Sequence, residues 1–242
     1  MTTDFKDIKP PEERGYAHPE LMVTTDWLAD HIDDPKVVVV DQDLPDAYSR
    51  VRIPGAVVYR DHYFKDLSGS PHIQDSRTFA ATMESLGIGD DTTVVAYDSD
   101  GNHVAARLLW ALKYYGHDDV KVLDGGFPMW FAEGRPLSRE TPSQSAVTFT
   151  SRPVPEVFSD KDDVLACTTD PGAVLLDVRS DAEWTGENAR GTARGGRLAN
   201  AVHLEWKNFI TGGDVPVIKP ADELRELLET NGVTPDKKIV AY

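Results

Sequence analysis

Apolar positions fall along this chain in two rhythms: short unbroken runs, and longer stretches with apolar residues three or four apart. "KVVVVD" (Lys36 to Asp41) is an unbroken run, the pattern of a strand covered on both faces. "DSRTFAATMESLGI" opens on an Asp/Ser start, places Phe79, Met83 and Leu86 at helical spacing, and stops at Gly87. "TTVVAY" reads as a second buried strand, and "NHVAARLLWALKYYGH" as a long amphipathic helix ending at Gly116. "VKVLDGG" predicts a third strand running into a glycine turn. Strands that alternate with helices imply an α/β fold built on a parallel sheet.

The second half repeats this order. "TVVAYD", with Tyr97, matches "KIVAY", with Tyr242, at an offset of 242 − 97 = 145. "RIPGAVVYRD" from Arg52 matches "RLANAVHLEW" from Arg197 at 197 − 52 = 145. "GIGDDTTVVAY" and "GVTPDKKIVAY" superpose at that offset without a gap. The first strands break the register: "VVVVDQD" and "AVLLDVR" set Asp41 against Asp177, and 177 − 41 = 136. The second copy therefore holds 145 − 136 = 9 extra residues, and the stretch "GENARGTARGG" is where they lie. Agreement of several segments implies two copies of one α/β domain, over 16–138 and 157–242. The polar stretch "SRETPSQSAVTFTSRPVPEV" forms the boundary. After Tyr97 the first copy runs on through a loop, a helix, the strand "VKVL" and "GGFPMW"; no counterpart follows Tyr242. The second domain is thus expected to be incomplete, with an apolar sheet edge exposed.

Composition narrows the function classes. Hydrophobic residues make up 40% and charged residues 27% of the 242, a balance that supports packed cores. No apolar run approaches the roughly 18 residues of a membrane helix. The N-terminal "MTTDFKDIKPPEERGY" is polar and lacks an apolar h-region, so no secretory signal is expected. With 25 basic and 41 acidic residues the net charge is −16, which repels nucleic acid and anionic membranes. Cys167 is the single cysteine, which excludes disulfides within the chain and points to a reducing cytoplasm. There is neither a glycine-rich nucleotide loop nor a metal-ligand spacing, so no cofactor or metal is expected.

Three motifs carry a family resemblance. "DVRSDAEWTGE" (Asp177 to Glu187) resembles an Asp-x-Arg…Glu-aromatic-x-Gly signature, and "RIPGAVV" a His-Ile-Pro-Gly-Ala turn with Arg52-Ile53 in place of His-Ile. "VKVLDGGFPMWFAEGRPL" resembles an end-of-domain segment in which Gly-Gly, Trp130 and Gly134-x-Pro136 recur. Together, from about Tyr16 to Tyr242, the chain resembles the tandem rhodanese sulfurtransferases, and "YAHPELMVTTDWLADH" resembles their bacterial two-domain members. The resemblance implies two rhodanese-like domains, each a parallel sheet flanked by helices, the first inactive. It further implies a nucleophilic cysteine directly after Tyr242, opening a loop capped by a helix. That cysteine would take sulfane sulfur from a small anionic donor and pass it, as a persulfide, to a thiol or cyanide acceptor. Thiosulfate is the favoured donor and 3-mercaptopyruvate the alternative; a non-catalytic binding module and a phosphatase are the rival classes. A strand end meeting a helix N-terminus gathers unpaired backbone N–H groups, which stabilise a thiolate without metal.

The candidate residues follow. Asp98 stands in the nucleophile slot of the first copy, cannot accept sulfur, and reads as a cap on a helix beginning near Asn102. Cys167 reads as a core thiol on a short helix opened by Ser159 and Asp162, not as a nucleophile. Arg190, Arg194 and Arg197 form a positive spot in the insertion, either capturing the donor's oxygens or pairing with neighbouring carboxylates. The RNA-binding reading of its "RG" pairs conflicts with the acidic remainder. Arg179 and Asp177 read as an ion pair ordering the active-site rim, with substrate contact by Arg179 as the functional alternative. Glu183 stands where some members of the resembled family have a substrate-binding arginine. Asp61 and His72 lie in first-copy loops and read as solvated. Trp27, Trp110, Trp130, Trp184 and Trp206 read as packing residues.

Overall fold

The computed structural model describes residues 5–59, 61, 64–66 and 73–242. The chain divides into two compact units, Met1–Val157 with Gly212–Ile218, and Phe158–Thr211 with Lys219–Tyr242. In the first, the elements run β1 (Met22–Val23), α1 (Thr25–His31), β2 (Val37–Asp41), α2 (Pro45–Arg50), β3 (Val57–Val58), α3 (Ser76–Ser85), β4 (Thr93–Tyr97), α4 (Ala105–Tyr114), β5 (Val120–Leu123) and α5 (Gly126–Ala132). The second holds α6 (Lys161–Cys167), β6 (Ala173–Asp177), α7 (Asp181–Thr185), β7 (Val202–His203), α8 (Ala221–Thr230) and β8 (Lys238–Ala241).

All strand pairs are parallel, in the orders β1-β5-β4-β2-β3 and β7-β6-β8. Side chains alternate across the first sheet, and both faces are covered. Val40, Val94 and Ala96 pack with Phe79 and Met83 of α3 and Leu108 of α4. On the other face Val39, Val95 and Tyr97 pack with Leu28 of α1 and Trp130 of α5. The second sheet follows the same plan, with Val174 and Leu176 against Leu227 and Leu228 of α8, and Leu175 and Val240 against Cys167 of α6.

The repeat holds in register. Val37 pairs with Thr93 and Ala173 with Lys238, which carries the offsets of 136 and 145 directly into the sheets. Surroundings differ, however. Val94, Val95, Ala96 and Tyr97 are fully buried, because β4 lies between β5 and β2. Strand β8 lies at an edge with no strand on its outer side among the described residues, and Ile239 is 44% exposed.

Three details depart from the sequence expectation. Helix α4 starts at Ala105, not near Asn102, because Asn102 adopts a left-handed φ of +65° within the preceding turn. Helix α6 is capped by Asp160, not by Ser159 or Asp162, and Asp163 completes a capping box. Gly212–Ile218, from the second half of the sequence, groups with the first unit: Arg14 Nη1 and the Tyr16 hydroxyl donate to the Ile218 carbonyl at 3.2 and 2.8 Å.

Candidate functional site

In both units the informative chemistry gathers at the C-terminal ends of the strands, where open α/β sheets bind their ligands. In the first unit, the Tyr97 hydroxyl at the end of β4 donates to Asp41 Oδ2 at 2.7 Å and accepts from the Ile53 amide at 3.3 Å. Burial pushes the Asp41 carboxyl up to about 6, against the opposing pull of the Tyr97 hydroxyl. The next residue, Asp98, is 1% exposed and accepts four backbone N–H bonds. Oδ1 takes those of Asp100 and Asn102 at 2.8 and 2.7 Å, and Oδ2 those of Val104 and Ala105 at 2.8 and 2.9 Å. Asp98 thus braces the turn and the start of α4, whose N-cap position is Val104, supplying an acceptor to N–H groups that a helix start leaves without partners. Asp43 braces the same loop by accepting from the Ser99 amide at 2.8 Å.

The second unit repeats the clasp. Asp177 replaces Asp41 and hydrogen-bonds the Tyr242 side chain, and the Leu198 amide donates to the Tyr242 hydroxyl at 3.2 Å. The equivalence is exact in number: 198 − 53 and 242 − 97 both equal 145. What differs is the residue two beyond the aspartate, Asp43 in the first unit and Arg179 in the second. Arg179 grips Asp177 with two parallel bonds, Nε to Oδ1 at 2.9 Å and Nη2 to Oδ2 at 2.6 Å. It also donates to the Gly196 carbonyl at 3.0 Å and lies over the Tyr242 ring at 5.1 Å. Burial works against ionisation of Asp177, but the Arg179 bonds outweigh it and hold the carboxyl below its usual range.

The insertion is pinned at its neck. The backbone of Gly195 passes so close to Gly186 that a Cβ on Gly195 would sit 2.7 Å from the Gly186 carbonyl oxygen. Of its arginines, Arg190 is exposed but paired, with Nε 3.1 Å from Glu183 Oε1. Arg197 is exposed and lies 4.6 Å over the Trp184 ring. Arg194 is exposed, and its backbone carbonyl accepts from Thr192 Oγ1 at 2.9 Å. Glu183 is buried and serves α7 as a capping-box acceptor for Ser180.

Cys167 is buried at the end of α6, beside Leu175 and Val240, and it lines a cavity of about 320 Å³ with Asn200 and Asp170. Since α6 repeats α1 at 161 − 25 = 136, Cys167 occupies the place of His31 in the first unit, not that of Asp98. Asp61 accepts from the Lys65 amide at 2.9 Å in a local turn. His72 lies outside the described residues. Trp130 is buried and Trp110 donates its indole N–H to the Val157 carbonyl at 2.8 Å. Trp27 stacks on His31, and Trp184 on His203 with ring centroids 4.7 Å apart.

Sequence reasoning missed the two tyrosine clasps and His203, whose Nε2 donates to the Arg179 carbonyl at 2.9 Å. The signal was available: an Asp and a Tyr recur at the same places in both copies. Among the described residues no group of His, Cys, Asp and Glu side chains could hold a metal ion, and no helix is long and apolar enough to cross a membrane.

Comparison with known proteins converges on one family. Residues 24–133 match the rhodanese-like domain. A Thermus thermophilus protein named sulfur carrier protein TtuD is 38% identical, over 94% of this chain and 84% of its own. A Mycobacterium bovis protein with the provisional name thiosulfate sulfurtransferase SseA is 34% identical, over 96% of this chain and 80% of its own. The crystal structure of SseA from Escherichia coli, described as a 3-mercaptopyruvate sulfotransferase, superposes with a TM-score of 0.80 at 29% identity, covering 91% of this chain and 87% of that one. With the sheet order, the repeated clasp and the loop motifs, these likenesses show that the chain belongs to the rhodanese family of sulfurtransferases.

Proposed function

We propose that this protein moves sulfane sulfur from thiosulfate to a thiophilic acceptor, a thiol or cyanide, through a cysteine persulfide. One observation carries the reading: Tyr242 is clasped as Tyr97 is, so the position that succeeds Tyr242 corresponds to Asp98, where four backbone N–H groups converge. A thiol at such a focus ionises readily. Its thiolate attacks the outer sulfur of thiosulfate, the S–S bond breaks, and sulfite leaves with the electron pair. Attack of cyanide on the outer persulfide sulfur then releases thiocyanate and restores the thiolate. Arg179, Arg194 and Arg197 offer guanidinium groups to the anionic donor, with Arg179 at the rim beside Tyr242. In this reading the domain over 16–138 is inactive and that over 157–242 carries the chemistry, in a reducing cytoplasm.

The likeness to the Escherichia coli enzyme favours a second donor, 3-mercaptopyruvate, on the same site. With that donor the thiolate attacks the sulfur to form the persulfide, the C–S bond breaks with its electron pair going to the enolate of pyruvate, and protonation at carbon releases pyruvate.

The 242-residue chain, whose single thiol is the buried Cys167, is expected to form no thiocyanate from thiosulfate and cyanide. Cyanide-dependent activity that disappears in Cys167→Ser would sink the proposal. A codon other than cysteine after that of Tyr242 in the gene would sink it equally.

A further inference from the structure

We propose that His203 is a positioning residue of the second unit, holding both Arg179 and the platform on which Arg197 lies. On β7 it pairs in register with Asp177 of β6, so the two side chains leave the sheet side by side on one face. There its ring makes two contacts. Nε2 donates to the Arg179 carbonyl at 2.9 Å, and the imidazole stacks on Trp184 with centroids 4.7 Å apart and planes 6° apart. The Arg179 side chain forks onto Asp177, and Arg197 lies over the Trp184 ring at 4.6 Å. One side chain thus fixes the backbone of one arginine and the aromatic support of the other.

The first unit supplies the contrast. Val58 stands in the place of His203 (203 − 58 = 145), and Asp43 in that of Arg179 (179 − 43 = 136). A valine can neither donate a hydrogen bond nor stack. Tyr48, which carries Arg52 over its ring at 3.9 Å, is oriented by its own hydroxyl, a donor to the Ala56 carbonyl at 3.1 Å. Trp184 has no hydroxyl for such a bond, and the His203 ring takes over its orientation. The histidine and the arginine are therefore additions of the second unit that belong together. Nε2 carries its proton in the neutral ring as in the cation, because its partner is a carbonyl that only accepts. Nδ1 faces Asp181 Oδ1 at 3.6 Å, a carboxylate that is mostly exposed, while the Arg179 guanidinium is turned onto Asp177.

Only in treating Arg179 and Arg197 as the groups that meet an anionic donor does this role rest on the proposed function; the test reads no sulfur transfer, so either can fail alone. The full chain is compared with His203→Phe, which keeps a ring and loses the donor, and His203→Gln, which keeps an N–H near the place of Nε2 and loses the ring. Two NMR signals are followed: the pH titration of the Asp177 carboxyl carbon, and the ring-current shift of the Arg197 side-chain protons over Trp184. In His203→Phe the Asp177 titration is expected to rise by at least about half a pH unit, as its cation loosens, while the Arg197 shift persists. In His203→Gln the Arg197 shift is expected to disappear while Asp177 titrates as in the unsubstituted protein. Both signals moving together in the two variants, or either signal staying put in both, overturns the proposal. Should neither variant fold, the ring-nitrogen shifts of His203 in the unsubstituted chain decide: a protonated Nε2 at about pH 8 upholds the donor, and a bare Nε2 overturns it.

Discussion

Asp41 and Asp177 end equivalent strands and bond equivalent tyrosines, but their carboxyls are shifted in opposite directions. Around Asp41 burial dominates, since Arg52 gives its guanidinium to the carbonyls of Tyr48, Arg139 and Glu140 and sits over the Tyr48 ring at 3.9 Å. Around Asp177 the Arg179 fork dominates. Even the stacked arginine is repeated, because Arg197 lies on Trp184 as Arg52 lies on Tyr48, and 184 − 48 = 136. The two units thus share one geometric scaffold and differ in charge at a single decisive position, 43 against 179. A duplicated fold can keep its hydrogen-bond skeleton while the charges laid on it diverge.

The most damaging way to break this comparison is Arg179→Ala. It leaves Asp177 buried without its cation, and the second unit should lose about 2–3 kcal/mol in urea unfolding. The loss falls short of that for a fully buried pair because the Arg179 side chain is 32% exposed. Hydrogen exchange along β6 and β8 should quicken while β2 and β4 remain protected; uniform quickening would show that the clasp does not act locally.

Next in size is a matched pair at equivalent strand positions, Val94 and Ile239 (239 − 94 = 145). Val94→Ala opens space in a fully buried site and should cost about 2 kcal/mol, whereas Ile239→Ala on the exposed edge should cost less than about 1 kcal/mol. Equal costs in chemical denaturation would mean that the edge position of β8 does not describe the protein in solution.

The smallest expected effect has the opposite sign. A folded value of about 6 against 3.8 means that the folded state binds a proton at Asp41 more tightly than the unfolded chain does. Ionised Asp41 therefore destabilises the first unit fully above pH 6, and the penalty fades as pH falls from 6 toward 3.8. Asp177 behaves in reverse, stabilising above its unfolded value and losing that contribution as acid protonates it. Asp41→Asn should stabilise by about 1–2 kcal/mol at neutral pH, below the roughly 3 kcal/mol of the full shift because a charged acceptor for Tyr97 is lost. Melting temperatures of this variant and the unsubstituted protein should converge as pH drops below about 5; parallel curves would remove the sign difference between the two clasps.

Much of this was legible in the residue order. Continuous apolar runs such as Val37–Asp41 announce strands covered on both faces, and the Phe79/Met83/Leu86 spacing announces α3. That Asp98 serves the start of a helix was recognisable because its partners lie within seven residues of it, although the N-cap position itself is Val104. The clasps were not, because Tyr97 reaches Asp41 across 56 residues and Ile53 across 44. Nor could the order of residues tell that Arg197 stacks on Trp184 and Arg190 pairs with Glu183, although all sit within one glycine-rich stretch.

The sequence by itself determined the α/β class, the duplication and the place of each strand end, since hydrophobic period and repeat offset are properties of the chain alone. Only the tertiary structure decided how each carboxylate is charged. Asp41 and Asp177 read alike as strand-ending acids, and their ionisation depends on which cation the fold delivers: Arg52 turned toward backbone carbonyls, Arg179 turned onto its aspartate.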